Sequence, residues 1–397
     1  MRVIGIISEY NPFHSGHRYQ ISETKRRLGE DSFIVCVMSG NWVQRGDAAI
    51  CDKWTRAAMA LRGGVDLVLE LPTVWSVSSA ETFAEGGVSI LDATGIVDTL
   101  SFGSESGELF PLELAASLLS SPQYSAALRV YLNQGFSFPV ARQHAATDLL
   151  GESAHCLQTP NNNLGVEYLR AIHRIGSSIQ PHTLLRLGAA HDSKTLGQDF
   201  ASASKLRQEL HAGNCLSLLP YLSTSDLDAL TEAGLSSLSY AERAVFARLR
   251  SMSAEDFLSL PDCGEGLHNR LARASIESST LDELYANIKS RRYAHARIRR
   301  LVLWSFLSLT SADRPVSPPY LRVLGMNRRG QSLLKEMKQS ARLPILTKPA
   351  HAHNLPKEGQ ALFALEARCT ALYDLCRADF GTRAGKMEYS ESPVILS

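Results

Sequence analysis

Two histidines stand three residues apart in His14-Ser15-Gly16-His17. A short apolar run, residues 3–7, reads as a strand just before them, and an Asn11-Pro12 turn lies between. Residues 16–28 then carry amphipathic, helical patterning. Gly16 lets the backbone approach a phosphate, and the first N–H groups of the helix are offered to an anion. The imidazoles add donors able to hold the α- and β-phosphates of a nucleotide while pyrophosphate leaves. The spacing therefore predicts nucleotidyl transfer from ATP. Two satisfied histidines beside a turn are the bland alternative, but the strand before and the helix after supply the context a phosphate motif needs.

Other segments add compatible chemistry. Residues 201–207, Ala-Ser-Ala-Ser-Lys-Leu-Arg, open a helix with hydroxyls and end on Arg207. They resemble the second, Ser/Thr-rich motif of HxGH nucleotidyltransferases, which closes over the β- and γ-phosphates, or more plainly read as a Ser N-cap with an exposed Arg. Residues 39–47 form a polar loop carrying Ser39, Gly40, Asn41, Gln44 and Arg45 around Trp42. Such a loop suits a second substrate or an acyl acceptor, or more plainly a surface loop with Trp42 packed beneath it. Asp52, Lys53 and Arg56 continue this polar run onto the next helix, or simply form a solvated face there. The Asn161–Asn162 amides can read an adenine edge or a ribose, and Arg186 can neutralise phosphate, though three successive Asn taken alone read as a turn. A basic run, with Arg291, Arg292, Tyr293, Arg297, Arg299 and Arg300, interleaves cations and an aromatic at a helix entrance. Together with Arg328 and Arg329 it suits RNA backbone contact and stacking, or more plainly a solvated helix face.

The elements needed to position these residues are visible in the pattern. Apolar runs at 3–7, 33–38, 65–71, 97–102 and 182–187 alternate with helical stretches at 16–28, 49–62 and 79–91. Strands this apolar imply a parallel sheet covered on both faces, hence an α/β, Rossmann-like doubly wound domain. The polar loops all follow strand ends, where such a sheet binds its ligand. From about residue 200 helical patterns dominate. The expected division is therefore 1–199, a nucleotide-binding catalytic domain, and 200–397, a mostly α-helical region. Residues 311–319 read as a Pro-containing linker and 381–397 as a loosely held tail.

Composition narrows the class. The chain has 397 residues, 44% of them hydrophobic, and a net charge of +1. Nucleic-acid contact must then come from local basic patches, not from the overall field. Seven scattered cysteines without a CxxC pair read as reduced thiols of a cytoplasmic protein, with no zinc site. The first apolar run is too short for a signal peptide, and no segment has the length of a membrane span.

Taken together, the motifs GIISEYNPFHSGH (5–17), VMSGNWVQRG (37–46), DKWTRA (52–57), DLVLELP (66–72) and SFGSE (101–105) resemble the bacterial tRNA(Met) cytidine acetate ligase family. EGLHNR (265–270), RRY (291–293) and LRVLG (321–325) extend the resemblance into the second half. The resemblance implies an HxGH nucleotidyltransferase-type fold that takes ATP, with Mg²⁺, and acetate. It implies formation of acetyl-AMP with release of pyrophosphate. The acetyl group then passes to N4 of the wobble cytidine in the anticodon arm of elongator tRNA(Met), giving N4-acetylcytidine. His14 and His17 become the catalytic pair. The ATP site it implies runs through Ile7, Ser8, Glu9, Tyr10, Asn11, Pro12, Phe13, His14, Ser15, Gly16, His17, Arg18, Tyr19 and Gln20. It continues to Gly103, Asn161, Asn162 and Arg186, with Arg207 from the second motif. The loop of Ser39, Gly40, Asn41, Gln44 and Arg45 takes the acetate and cytidine side. Gln20 departs from the family, where a third histidine is common, as does Ala190 before His191. Two competing readings are a small-molecule adenylyltransferase and a non-catalytic RNA-binding protein on the same fold. The helical second half with its basic clusters argues against the first, and the intact His14, Gly16 and His17 against the second.

Overall fold

The computed structural model describes residues 2–186, 200–290, 293–379 and 385–397. Its centre is an eight-stranded sheet. The strands are β1 (Val3–Ser8), β2 (Phe33–Ser39), β3 (Leu67–Leu71), β4 (Thr99–Ser104), β5 (Gln180–Leu185), β6 (Leu321–Met326), β7 (Ile345–Leu346) and β8 (Val394–Ile395). Their order is β8-β6-β3-β2-β1-β4-β5, with β7 beside β6. β1 to β5 are mutually parallel, in registers such as Val3↔Phe33, Val35↔Leu67 and Phe102↔Thr183. β6 runs antiparallel to β3. The chain leaves β1 towards β2 and β3 on one side and returns to β4 and β5 on the other. The switch point of this doubly wound sheet thus lies between β1 and β4, where a crevice opens at the carboxyl ends of the strands.

Alternation of side chains along the strands builds a core on each face. Val3, Val35, Val37, Leu67 and Leu69 pack under the helices Ala80–Ala93 and Pro160–Ile175. Ile4, Ile6, Ile34, Cys36, Met38 and Val68 face Ile21, Ala57, Leu61, Leu206 and Leu210. The first cluster continues without a break into Leu301, Trp304, Tyr373 and other residues of the second half. The position-199/200 division therefore separates neither two sheets nor two cores. The second half is mostly helical, yet its strands β6 and β8 complete the sheet. All seven cysteines are free.

Two expectations are overturned. The described part of the tail, residues 385–397, is woven in: β8 pairs with β6, and Glu388 is 1% exposed. Asp52, Lys53 and Arg56 are buried, not a solvated face. Lys53 Nζ lies 2.6 Å from both Glu70 and Glu388 carboxylates, and Arg322 approaches the other Glu388 oxygen at 3.7 Å. Glu366 accepts from the Thr73 N–H and hydroxyl, each at 2.7 Å. Burial, followed by the charge of Glu70, pushes the Glu366 carboxyl up to about 8. With that proton in place two cations face two carboxylates, so the cluster is balanced. A buried charge left alone would cost several kcal/mol, so each member depends on the others.

Removing Glu388 leaves Lys53 and Arg322 short of one counter-charge. Glu388→Ala is expected to cost about 3–5 kcal/mol in urea unfolding, and a loss within experimental error would contradict the network. Between its ordinary value of 4.5 and about 8, Glu366 stays protonated in the folded chain after the unfolded chain has lost the proton. Its contribution to stability is thus present at low pH and lost as pH rises through that window. Unfolding free energies measured across the window are expected to fall less steeply with pH in Glu366→Gln than in the parent.

Candidate active site

A cleft of about 750 Å³ lies at the carboxyl ends of the strands, over the β1–β4 switch point. Its first wall is the turn after β1. Tyr10 takes a left-handed φ of 45° there, which few residues adopt without support. The ring of Tyr10 and that of Phe13 are buried and meet edge-on at 4.9 Å. The fully buried Arg56 guanidinium donates to the Glu9 carbonyl at 2.7 Å and the Ser39 carbonyl at 3.1 Å. It also donates to the Gly40 carbonyl. The ends of β1 and β2 are thereby joined.

His14 caps the helix Ser15–Leu28 with its own ring: Nδ1 accepts from the Gly16 N–H at 3.1 Å. His17 Nδ1 accepts from the His14 N–H at 3.3 Å. The rings lie 3.9 Å apart between centroids. A Cβ on residue 16 would come within 2.9 Å of the His14 ring, so the glycine is what permits the cap. Burial, then the cations Arg186 and Arg207, lowers His14 to about 3. Burial, then His14 itself, holds His17 well below the usual histidine range. Both rings are therefore neutral at physiological pH. Since both Nδ1 atoms accept, each ring carries its proton on Nε2 and presents an N–H donor there. The backbone N–H groups at this helix start are not the anion donors the sequence implied. Ser15 donates to the Tyr221 carbonyl at 2.8 Å, and Gly16 to His14.

Two arginines flank this pair. Arg186 donates to the Asn161 amide oxygen at 2.7 Å. Arg207 donates to the Asn11 carbonyl at 2.8 Å and to the Ser204 hydroxyl at 3.2 Å. These partners are neutral, so neither guanidinium charge is cancelled by them. Burial lowers the pKa of both. Partly desolvated cations on neutral acceptors are poised for an anion. Ser202 spends its hydroxyl capping the helix Ala203–His211, accepting from the Lys205 N–H, whereas Ser204 takes bonds from Arg207 and Arg45. The opposite wall is apolar, made by Phe83, Phe102, Leu164, Tyr168 and Leu184. The sequence reading missed these residues. The spacing of Pro160, Leu164 and Tyr168 puts them on one helical stripe, but such a stripe reads as core.

A second lobe opens beside the first. A short hairpin, Trp42–Val43 with Asp47–Ala48, brings in Gln44, Arg45 and Asp47. The start of the helix His295–Phe306 brings in His295, Ala296, Arg299 and Arg300. Gly46, with φ 75°, packs so closely on this helix that a Cβ would lie 2.5 Å from the backbone of Arg299. Asp47 pairs with Arg299 and accepts from the Ala48 and Leu238 N–H groups. Among the described lining residues, five arginines face two acids, Glu9 and Asp47. The cleft is electropositive.

Ile7, Ser8, Glu9, Tyr10, Asn11, His14, Gly16, His17, Tyr19, Gln20, Gly103, Asn161, Arg186, Arg207, Gln44 and Arg45 are thus brought together. Pro12, Phe13, Ser15 and Arg18 lie outside the lining, Phe13 fully buried and Arg18 turned to Asp226 at 3.9 Å. Asn162 is buried and accepts from the Glu105 and Ser106 N–H groups, so it holds the loop after β4. Glu105 was not singled out; it accepts from the Asn161 and Asn162 N–H groups at the start of helix Pro160–Ile175. Burial pushes its carboxyl up, but these bonds outweigh that and hold it below its ordinary value. Ser39, Gly40 and Asn41 lie beneath the hairpin, where Asn41 meets Thr370 and the Lys53 N–H. Tyr293 is buried and donates to the Glu265 carbonyl, and Arg297 donates to the Asp262 carbonyl. Arg329 donates to the Asp31 and Ser32 carbonyls, at the amino edge of the sheet, with Arg328 beside it. That is the far edge from the cleft. Arg291, Arg292 and residues 187–199 lie outside the described residues.

Residues 1–388 match the family model described as HIGH Nucleotidyl Transferase. The tRNA(Met) cytidine acetate ligase of Clostridium novyi (strain NT) is 36% identical, with all of both chains covered. That of Thermoanaerobacter sp. (strain X514) is 40% identical over 88% of this chain and 89% of its own. The crystal structure of apo Thermotoga maritima TmcAL superposes with a TM-score of 0.95 at 31% identity over the whole of both chains. The form bound with alpha-thio ATP gives 0.92 at 31% identity, again over the whole of both chains. With an HxGH pair at the switch point of a doubly wound sheet and relatives of this similarity over its full length, the chain belongs to the HIGH nucleotidyl transferase family and, within it, to the tRNA(Met) cytidine acetate ligases.

Proposed function

We propose that this chain is an ATP-dependent ligase that converts acetate to acetyl-AMP and passes the acetyl group to N4 of the wobble cytidine of elongator tRNA(Met). One observation carries the first half-reaction. Two neutral imidazoles with Nε2–H donors and two cations on neutral acceptors line the same lobe of one cleft. That set suits a triphosphate whose α-phosphorus is attacked while charge grows on the leaving pyrophosphate. The alpha-thio ATP held by the Thermotoga maritima relative supports the same ligand here. Acetate is already anionic at neutral pH and needs no base. Catalysis of this step is then alignment and charge neutralisation.

Mg²⁺ would enter with the nucleotide. Among the described residues no group of three or more His, Cys, Asp or Glu is arranged to hold a metal. The residues here fit a metal carried by the triphosphate better than a resident ion. Acceptance of the acetyl group falls to the second lobe, whose Arg45, Arg299 and Arg300 suit the phosphates of an anticodon arm. The base itself must be turned out of its stack to reach the acyl carbon. Among the described residues no helix is long and apolar enough to cross a membrane.

The assay that tests the reading supplies ATP, Mg²⁺, labelled acetate and an unmodified elongator tRNA(Met) transcript. Label in N4-acetylcytidine with matching AMP is the expected result; turnover with a small acceptor only, or tRNA binding without turnover, would replace it. His14→Ala and His17→Ala are each expected to lower acetate-dependent ATP–pyrophosphate exchange by about 10²–10³, the scale of one lost transition-state donor. Near-parental exchange in a folded variant would contradict their role. Arg299→Gln with Arg300→Gln is expected to weaken tRNA binding and to reduce the log–log salt slope by about 1 for each arginine that meets a phosphate. Arg328→Gln, on the far edge of the sheet, is expected to leave that slope unchanged.

A further inference from the structure

The cleft is built for anions, yet Glu9 points a carboxylate into it. An acid there opposes triphosphate binding by like-charge repulsion, so its presence asks for another use. Glu9 stands where the two lobes meet. Its carbonyl is fixed by Arg56 at 2.7 Å, and its Oε1 accepts from the Gln44 N–H of the hairpin at 2.6 Å. Arg207 and Tyr168 lie near enough to feel its charge from the two helices packed on either side. Among the described residues its other oxygen, Oε2, makes no hydrogen bond.

Transfer to an exocyclic amine releases a proton, and among the described lining residues few groups are free to take it. His14 and His17 hold their Nδ1 atoms on backbone N–H groups and carry protons on Nε2. Asp47 is engaged by Arg299 and two N–H groups. His295 is exposed at the mouth, beside Tyr285. Resting on the ligase reading above, we infer that Glu9 Oε2 is the proton acceptor of the acetyl-transfer step. The amine nitrogen attacks the acyl carbon, and a carbon–nitrogen bond forms. The carbon–oxygen bond to the AMP phosphate breaks, with AMP leaving as the anion. The nitrogen's proton passes to Glu9. A carboxylate is strong enough for this, since the nitrogen of the tetrahedral adduct is acidic. The proton then leaves to solvent when product dissociates.

The two half-reactions separate the claim from a structural role. Glu9→Gln keeps the size of the side chain and an oxygen to accept from the Gln44 N–H. Single-turnover transfer from preformed acetyl-adenylate to the elongator tRNA(Met) transcript is expected to fall about 10²-fold or more, the usual span for a lost general base. Acetate-dependent ATP–pyrophosphate exchange is expected to fall far less, and Glu9→Asp to recover part of the transfer rate. Equal loss in both half-reactions would make Glu9 a nucleotide-positioning residue and overturn the inference. So would transfer at the parental rate, or a selective transfer defect in His295→Ala with Glu9→Gln unaffected. Parent protein lacking acetate-dependent exchange altogether would overturn the ligase reading itself, and this role with it.

Discussion

The site hangs on one buried guanidinium. Arg56 is fully enclosed and donates to the carbonyls of Glu9, Ser39, Gly40 and Cys51. Those carbonyls belong to the turns that leave β1 and β2 and to the approach of helix Lys53–Arg62. A buried carbonyl left without a donor costs about 1–3 kcal/mol. Arginine alone can satisfy several carbonyls at once from one planar fork, and it cannot shed its charge to escape burial. The turn it secures holds Tyr10 in a left-handed conformation and sets out His14 beyond it. The loop it secures becomes the hairpin that forms the second lobe.

A second buried cluster ties this arrangement to the far end of the chain. Lys53 begins the helix that carries Arg56, and it is held by Glu70 at the end of β3 and by Glu388 near the C-terminus. Asn41 joins the same cluster through Thr370, which donates to Glu388. The hairpin wall of the cleft is thus braced by residues more than 300 positions away. Such a network costs desolvation and contributes little net stability compared with an apolar core, but it specifies one geometry. The hairpin that carries Gln44 and Arg45 in the cleft wall takes its position from that network.

The electrostatics divide the labour inside the cleft. Burial keeps the two histidines neutral, so they act as hydrogen-bond donors and leave the positive charge to Arg186 and Arg207. Donors of fixed orientation and cations on neutral acceptors need little rearrangement when an anion enters. The second lobe differs: its arginines are paired or braced, and it opens towards the start of helix His295–Phe306, where a large polyanion can approach.

Much of this was legible in the sequence because it depends on local spacing. Strand periodicity, the HxGH turn and the loops after each strand follow from neighbours within about ten residues; Gly103, Asn161, Arg186 and Arg207 joined His14 and His17 through family resemblance, and the structure gathers all six around one cleft. The charged residues were misread for the same reason. Lys53 and Arg56 look like a solvated helix face until the partners Glu388 and the strand-end carbonyls arrive from elsewhere. Arg328 and Arg329 look continuous with the basic run, yet β6 runs antiparallel and delivers them to the opposite edge of the sheet. Asn162 looks like a ligand reader and is a loop brace. The sequence by itself determined the fold class and the HxGH turn after the first strand. Only the tertiary structure decided which charges are buried, which helix N–H groups are already taken, and that the last residues close the sheet, because burial and pairing depend on contacts between positions that no local pattern connects.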